Sequence, residues 1–218
     1  MHHYIIVSGV PASGKSTVAR LIAQEIALPV FDKDDFLESM FEGAVLGDAK
    51  MRRKFSRIAD QQLRSEVERS NGAVIASWWK HPLSSVDSGT PTDWLALLPG
   101  LSVEVHCCCS PVIAVERFIE RRRHPGHLDR RWSYAELLSR FTQSASLGPL
   151  GVGCVVKVRT DCEVKLSALM RKIDHAWKIE KQNHSSDPTA APVTRPAGRQ
   201  ARPRWRALPQ SSAETWKT

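Results

Sequence analysis

A short apolar run, Tyr4-Ile5-Ile6-Val7, leads directly into Gly9-Val10-Pro11-Ala12-Ser13-Gly14-Lys15-Ser16, and Val18, Leu21, Ile22 and Ile26 then recur at helical spacing. Few folds accommodate this. The run is suited to a strand buried on both faces, the glycines to a loop whose backbone N–H groups converge on an anion, and the periodic segment to a helix opening at the loop. G-x-x-x-x-G-K-[ST] is matched at every fixed position. Lys15 then supplies a mobile positive charge for β- and γ-phosphates, and the Ser16 hydroxyl is a ligand for Mg²⁺. The helix N-terminus adds its own attraction for phosphate. Candidate nucleotide contacts are therefore Gly9, Pro11, Ala12, Ser13, Gly14, Lys15, Ser16 and Thr17.

Four more apolar runs follow, Pro29–Phe31, Ala73–Trp78, Ser102–Cys107 and Cys154–Val158, with helical patterns over 15–27, 34–42, 48–70, 111–123, 133–145 and 161–180. Thr160 or Asp161 is a candidate cap for the last helix. Strands separated by helices imply an α/β fold with a five-stranded parallel sheet. The chain has 218 residues and 42% hydrophobic content, which suits one α/β domain over residues 1–180 and a tail over 181–218. The tail holds seven Lys or Arg against Asp187 and Glu214, a balance of +5 within a net charge of +8. It is rich in Pro, Ala, Ser and Thr and has no apolar periodicity, so disorder is expected. With Trp205 and Trp216 it suits either contact with RNA or an acidic partner, or a solvated extension.

No apolar stretch approaches the roughly 20 residues needed to span a bilayer, and no cleavable leader precedes the first strand, so a cytoplasmic protein without a membrane partner is expected. The five cysteines, three consecutive at 107–109, form no C-x-x-C pair. Small apolar residues in a strand are the simpler reading. Residues 81–99 contain three prolines and read as a loop near the ligand-binding edge of the sheet, either touching substrate or merely connecting.

Two clusters suit phosphoryl transfer. In Phe31-Asp32-Lys33-Asp34-Asp35-Phe36, Asp32 can hold Mg²⁺ through water while Asp34 or Asp35 accepts the proton of an acceptor hydroxyl; Asp34 as a helix N-cap is the competing use. In Glu116–His127, Arg117 and Arg121 are four apart, where one helical face presents both, and Pro125-Gly126 breaks the helix into a lid of about 117–132. Such arginines neutralise a migrating phosphoryl group, although a solvated face paired with Glu116 and Glu120 has the same spacing. His124 and His127 suit substrate binding or the turn itself. Trp78 and Trp79 suit either an acceptor wall or packing at the sheet end.

The P-loop, the Asp-x-Asp after the second strand and the Arg-x-x-x-Arg before a loop together resemble the small-molecule and nucleotide kinase branch of P-loop proteins, the AAA-type predicted kinases, over roughly residues 4–180. The resemblance extends to shikimate, gluconate, chloramphenicol and polynucleotide 5′-kinases. It implies a three-layer sandwich with strand order 2-3-1-4-5 and a helical lid, ATP with Mg²⁺ as donor and a small-molecule hydroxyl as acceptor. It also implies Lys15, Asp34, Arg117 and Arg121 as catalytic residues, and Ser16 with Asp32 at the metal. Two departures stand out. Leu37 occupies a position where similar polynucleotide kinases carry arginine, which makes a nucleic-acid acceptor the lesser alternative, and Ser77-Trp78-Trp79 offers no metal carboxylate at the tip of the third strand. A nucleotide-dependent switch is the remaining alternative; no Asn-Lys-x-Asp run points to guanine.

Overall fold

A computed structural model describes residues 2–42, 48–129 and 132–186. The expected tail lies outside the described residues from Asp187 onward, Trp205 and Trp216 included, whereas its first part, 181–186, continues the last helix; the lid positions 130 and 131 also lie outside. Strand β1 (His3–Ser8) and helix α1 (Lys15–Ile26) flank the P-loop; β2 (Val30–Asp32), α2 (Lys33–Glu42), α3 (Ala49–Arg69) and β3 (Gly72–Ala76) follow. Then come β4 (Leu101–Cys108), α4 (Pro111–Glu120), α5 (Tyr134–Ser146), β5 (Cys154–Arg159) and α6 (Leu166–Ser186). The strands form one sheet in the order β2-β3-β1-β4-β5, and every pairing is parallel.

The pleat of β1 explains why its apolarity is continuous. Ile5 and Val7 join Val18 and Ile22 of α1 and Leu169 and Ile173 of α6 on one face. Tyr4 and Ile6 join Leu63 and Val67 of α3 on the other, together with Trp79 and Trp94. Alternate side chains thus enter different cores, and both need to be apolar. A third cluster fastens α4 to α5 through Val115, Phe118, Leu137 and Phe141, and a fourth fastens α2 to α3 through Leu37, Phe41 and Ala59. Leu37 is therefore a packing residue, 2% exposed.

Two helix ends depart from expectation. The last helix runs Leu166–Ser186 rather than 161–180, and neither proposed cap serves it. Asp161 instead accepts from Ser110 N (2.8 Å), and the Thr160 hydroxyl donates to Cys108 O (3.2 Å), so both residues tie the end of β5 to the end of β4. Helix α4 stops at Glu120 and the backbone turns extended at Arg121. Close behind, Pro125 disfavours helical backbone at His124, which is extended (φ −56°, ψ 134°).

Candidate active site

Parallel pairing sets the carboxyl ends of three strands side by side. Val7 is in register with Ala76, and Ala76 with Asp32, so the P-loop, the start of α2 and the segment after β3 all emerge at one edge of the sheet. Ligands bind there in open α/β sheets, beyond the strand ends where the chain order reverses. A cavity of about 1620 Å³ opens at this edge. Its lining includes Lys15, Ser16, Asp32, Asp34, Arg121 and Arg123.

The P-loop geometry follows from its glycines. Gly9 has φ +131°, and a Cβ there would sit 2.7 Å from the carbonyl oxygen of Cys107; Gly14 caps α1 at φ +87°. No side chain caps this helix and its first turn carries no acid, which leaves the leading N–H groups to the loop. Lys15 folds back over the loop, donating to Val10 O (2.7 Å) and Gly9 O (3.1 Å). Burial pushes its amine down to about 8, against opposing pulls from Cys107, Asp34 and Asp32. Triphosphate beside that amine raises its proton affinity again, so binding takes up a proton whenever the free protein has lost one. Nucleotide affinity is therefore expected to be flat below pH ~8 and to fall about tenfold per pH unit above it. Calorimetric titrations in buffers of different ionisation enthalpy measure this proton uptake directly.

Asp32 is buried, and burial raises its carboxyl above the usual range even though the Ser16 side chain hydrogen-bonds to it. It also accepts from the backbone N–H of Asp34 (3.1 Å), so Asp32, and not Asp34, closes the start of α2. Asp34 is thereby freed from the capping use and faces the cavity. Burial raises its carboxyl, but the charges of Arg123, His127, Arg121 and Lys15 outweigh burial, and the net shift is downward. Asp35 points elsewhere: it is exposed and pairs with Arg20 at 3.4 Å. Of the two acids left open by the sequence, Asp34 is the one the fold turns toward the P-loop.

Arg117 and Arg121 both line the cavity but do not act as a helical pair. Arg117 donates to Thr160 O (2.9 Å) and lies beside Cys109, which ties α4 to the segment after β5. Arg121 has already left the helix. It stacks over Phe118 (4.2 Å) and pairs with Asp129 (3.3 Å). Arg123, which the sequence did not single out, forms an ion pair with Asp34 and shares Asp129 at 3.4 Å. The physical signal is the change of period: on extended backbone side chains two apart share a side, so Arg121 and Arg123 come together once the helix ends at Glu120.

The segment carrying these arginines is seated on α2 and α3. His124 stacks on Phe41 (5.2 Å between centroids), and His127 is buried with its Nε2 2.8 Å from Glu38. Arg52 of α3 donates to His127 O at 3.0 Å. Both histidines therefore hold the turn, and His127 also lines the cavity. Both tryptophans line the cavity, but Trp79 is buried against Trp94 and donates to Val7 O (2.9 Å), whereas Trp78 is 42% exposed. Cys107 is buried in β4, where burial pushes its thiol up to about 12. No group of three or more His, Cys, Asp or Glu among the described residues could hold a metal on protein ligands alone. Ser16 and Asp32 offer two hard oxygen donors beside the phosphate loop, which suits Mg²⁺ completed by phosphate and water. No helix of the described residues is long and apolar enough to cross a membrane.

A family model described as Shikimate kinase matches residues 11–77, from the P-loop to the residue after β3. Among solved structures, a provisionally assigned kinase from Chloroflexus aurantiacus is 25% identical with a TM-score of 0.65, covering 80% of this chain and 98% of that one. Shikimate kinase from Bacteroides thetaiotaomicron is 16% identical with a TM-score of 0.56, covering 81% and 98%. Deoxyadenosine kinase from M. mycoides, solved with nucleotide products bound, is 16% identical with a TM-score of 0.50, covering 79% and 99%. None of the curated proteins compared matches the chain in sequence.

Proposed function

We propose, from the premise that this chain belongs to the P-loop kinase-like family, that it is an ATP-dependent kinase moving the γ-phosphoryl group onto a hydroxyl of a small molecule. One observation carries the reading: a carboxylate, Asp34, faces the same cavity as the phosphate lysine, with Arg121 and Arg123 beside it.

Phosphoryl transfer asks a protein for position and charge more than for covalent chemistry. The P-loop amides and Lys15 hold the donor phosphates. Asp34 orients the acceptor hydroxyl and takes its proton late, which suits a carboxyl held below its usual range. Arg121 and Arg123 stand where charge on the migrating group is neutralised, and the ion pair of Arg123 with Asp34 exchanges for contacts to substrate. Arg117 steadies the nucleotide side of the cavity. Mg²⁺, when bound through Ser16 and Asp32 with water, supplies charge neutralisation at the β- and γ-phosphates.

The test is transfer of labelled γ-phosphate from ATP with Mg²⁺ across a panel of sugars, nucleosides, aryl alcohols and 5′-hydroxyl oligonucleotides. Labelled product is expected with a small molecule and is expected to drop by about a thousandfold or more in Lys15→Ala, which removes a charge aimed at the transferring group. Partner-stimulated ATP hydrolysis with no labelled acceptor in any class would count against a kinase.

A further inference from the structure

We infer that the acceptor has a flat or apolar body which lies on a preformed hydrophobic wall after β3, so that the substrate class is an aryl or similarly apolar alcohol rather than a polyol. This rests on the kinase reading above and concerns the same cavity. Ala76 is in register with Asp32, so Trp78 and Asp34 each lie two residues past paired positions at adjacent strand ends. Trp78 thus sits on the acceptor side of the site.

Two further apolar side chains flank it. Leu83 is 78% exposed and Val86 49% exposed, and with Trp78 they line the cavity. Single exposed apolar residues are ordinary, but three converging on one concave surface beside a candidate catalytic carboxylate mark a ligand contact. The polar side chains of the same wall are serines and His81. The Ser84 hydroxyl is within hydrogen-bond distance of Val86 N and Val86 O, and His81 reaches Pro149 O (2.9 Å) and Leu83 N (3.1 Å). Among the described residues, this wall itself presents no carboxylate or carboxamide, the groups that grip a polyhydroxylated substrate through paired hydrogen bonds; those of the cavity, Asp32, Asp34, Asp129, Gln143 and Glu163, stand on other segments.

The wall is held in place before any ligand arrives. Lys80 N donates to Thr90 O and Thr90 N to Trp78 O, both at 2.8 Å, and the Ser77 and Thr90 hydroxyls meet at 2.5 Å. Gly89 (φ +101°) closes the loop so tightly that a Cβ would lie 2.7 Å from Lys80 N. Lys80 and Asp87 pair across the loop at 2.7 Å. An apolar surface fixed in this way loses little conformational freedom when it is covered.

The experiment is calorimetric titration of the full chain, saturated with a non-hydrolysable ATP analogue and Mg²⁺. The probes are cinnamyl alcohol, phenethyl alcohol and coniferyl alcohol on one side, and glucose and gluconate on the other. Aryl alcohols are expected to bind and the polyols not. Trp78→Ala is expected to weaken aryl-alcohol binding about tenfold or more and Leu83→Ser roughly threefold, with binding of the nucleotide analogue unchanged. Polyols binding as tightly as aryl alcohols, no binding by any aryl alcohol, or an unchanged affinity in Trp78→Ala would each overturn the inference. Phosphoryl transfer separates it from the reading on which it rests. Trp78-dependent binding without transfer from ATP sinks the kinase reading alone, and transfer to polyols that ignores Trp78→Ala sinks the apolar wall alone.

Discussion

Replacing Asp34 with asparagine is expected to reduce phosphoryl transfer about a thousandfold while leaving nucleotide affinity within roughly twofold. The carboxylate faces the cavity but makes no hydrogen bond to the P-loop, and the start of α2 is secured by Asp32 rather than by Asp34. Asparagine is isosteric and still offers Arg123 an oxygen, so the segment after α4 keeps its seat. What disappears is the negative charge that orients the acceptor and receives its proton. Single-turnover kinetics beside equilibrium titration with ATP separate the two effects. Turnover close to that of the unaltered protein would remove Asp34 from the reaction, and a parallel collapse of ATP binding would make its role structural. Asp35→Asn serves as the control, since that residue pairs only with Arg20 on the surface.

Glu104→Ala is expected to lower stability by about 3 kcal/mol or more, because four donors then lose this acceptor at once. Glu104 is wholly buried in the middle of β4. Its carboxylate accepts from the hydroxyl of Ser8 (2.5 Å) and from the backbone N–H groups of Leu150 and Gly151 (2.8 Å each), with Val152 N at 3.4 Å. It therefore clasps the turn before β5 to the strand that delivers the P-loop. For a domain of this size a loss of that order lowers the melting temperature by about 6–12 °C. Glu104→Gln keeps one acceptor oxygen and should recover part of the loss. Urea denaturation followed by tryptophan fluorescence measures both variants, and an unaltered midpoint in Glu104→Ala would mean that water replaces the carboxylate without penalty.

Glu104 also marks a limit of what the sequence discloses. In Ser102-Val103-Glu104-Val105-His106-Cys107 it reads as one polar residue in an apolar strand, and nothing local says that a turn almost fifty residues later supplies its partners. The P-loop was legible because its whole chemistry lies within eight consecutive residues. The five strands were legible because both faces of the sheet are covered, which makes their apolarity continuous. The strand order came through resemblance rather than from spacing, and the sheet has it. The helical period continues in the sequence through 111–123 whereas the helix ends at Glu120, and Arg117 and Arg121 share a face only on the longer helix. Arg123 is concealed by the same period, since it joins Arg121 only on the extended backbone after Glu120. Trp78 and Trp79 could not be told apart, since what separates them is exposure, and it is set by Trp94, which packs against Trp79 alone.

The contact between Gly126 and Phe41 ties two halves of the site into one mechanical part. A Cβ on Gly126 would lie 2.7 Å from the ring of Phe41, so the turn after α4 rests directly on α2 without a cushioning side chain. Asp34 stands on α2, while Arg121 and Arg123 stand on the strap just before that turn. Any tilt of α2 that accompanies arrival of an acceptor must therefore carry the arginines with it. On the proposed reading, the carboxylate that would meet the acceptor and the arginines that would meet the phosphoryl group therefore belong to one body, and neither shifts without the other.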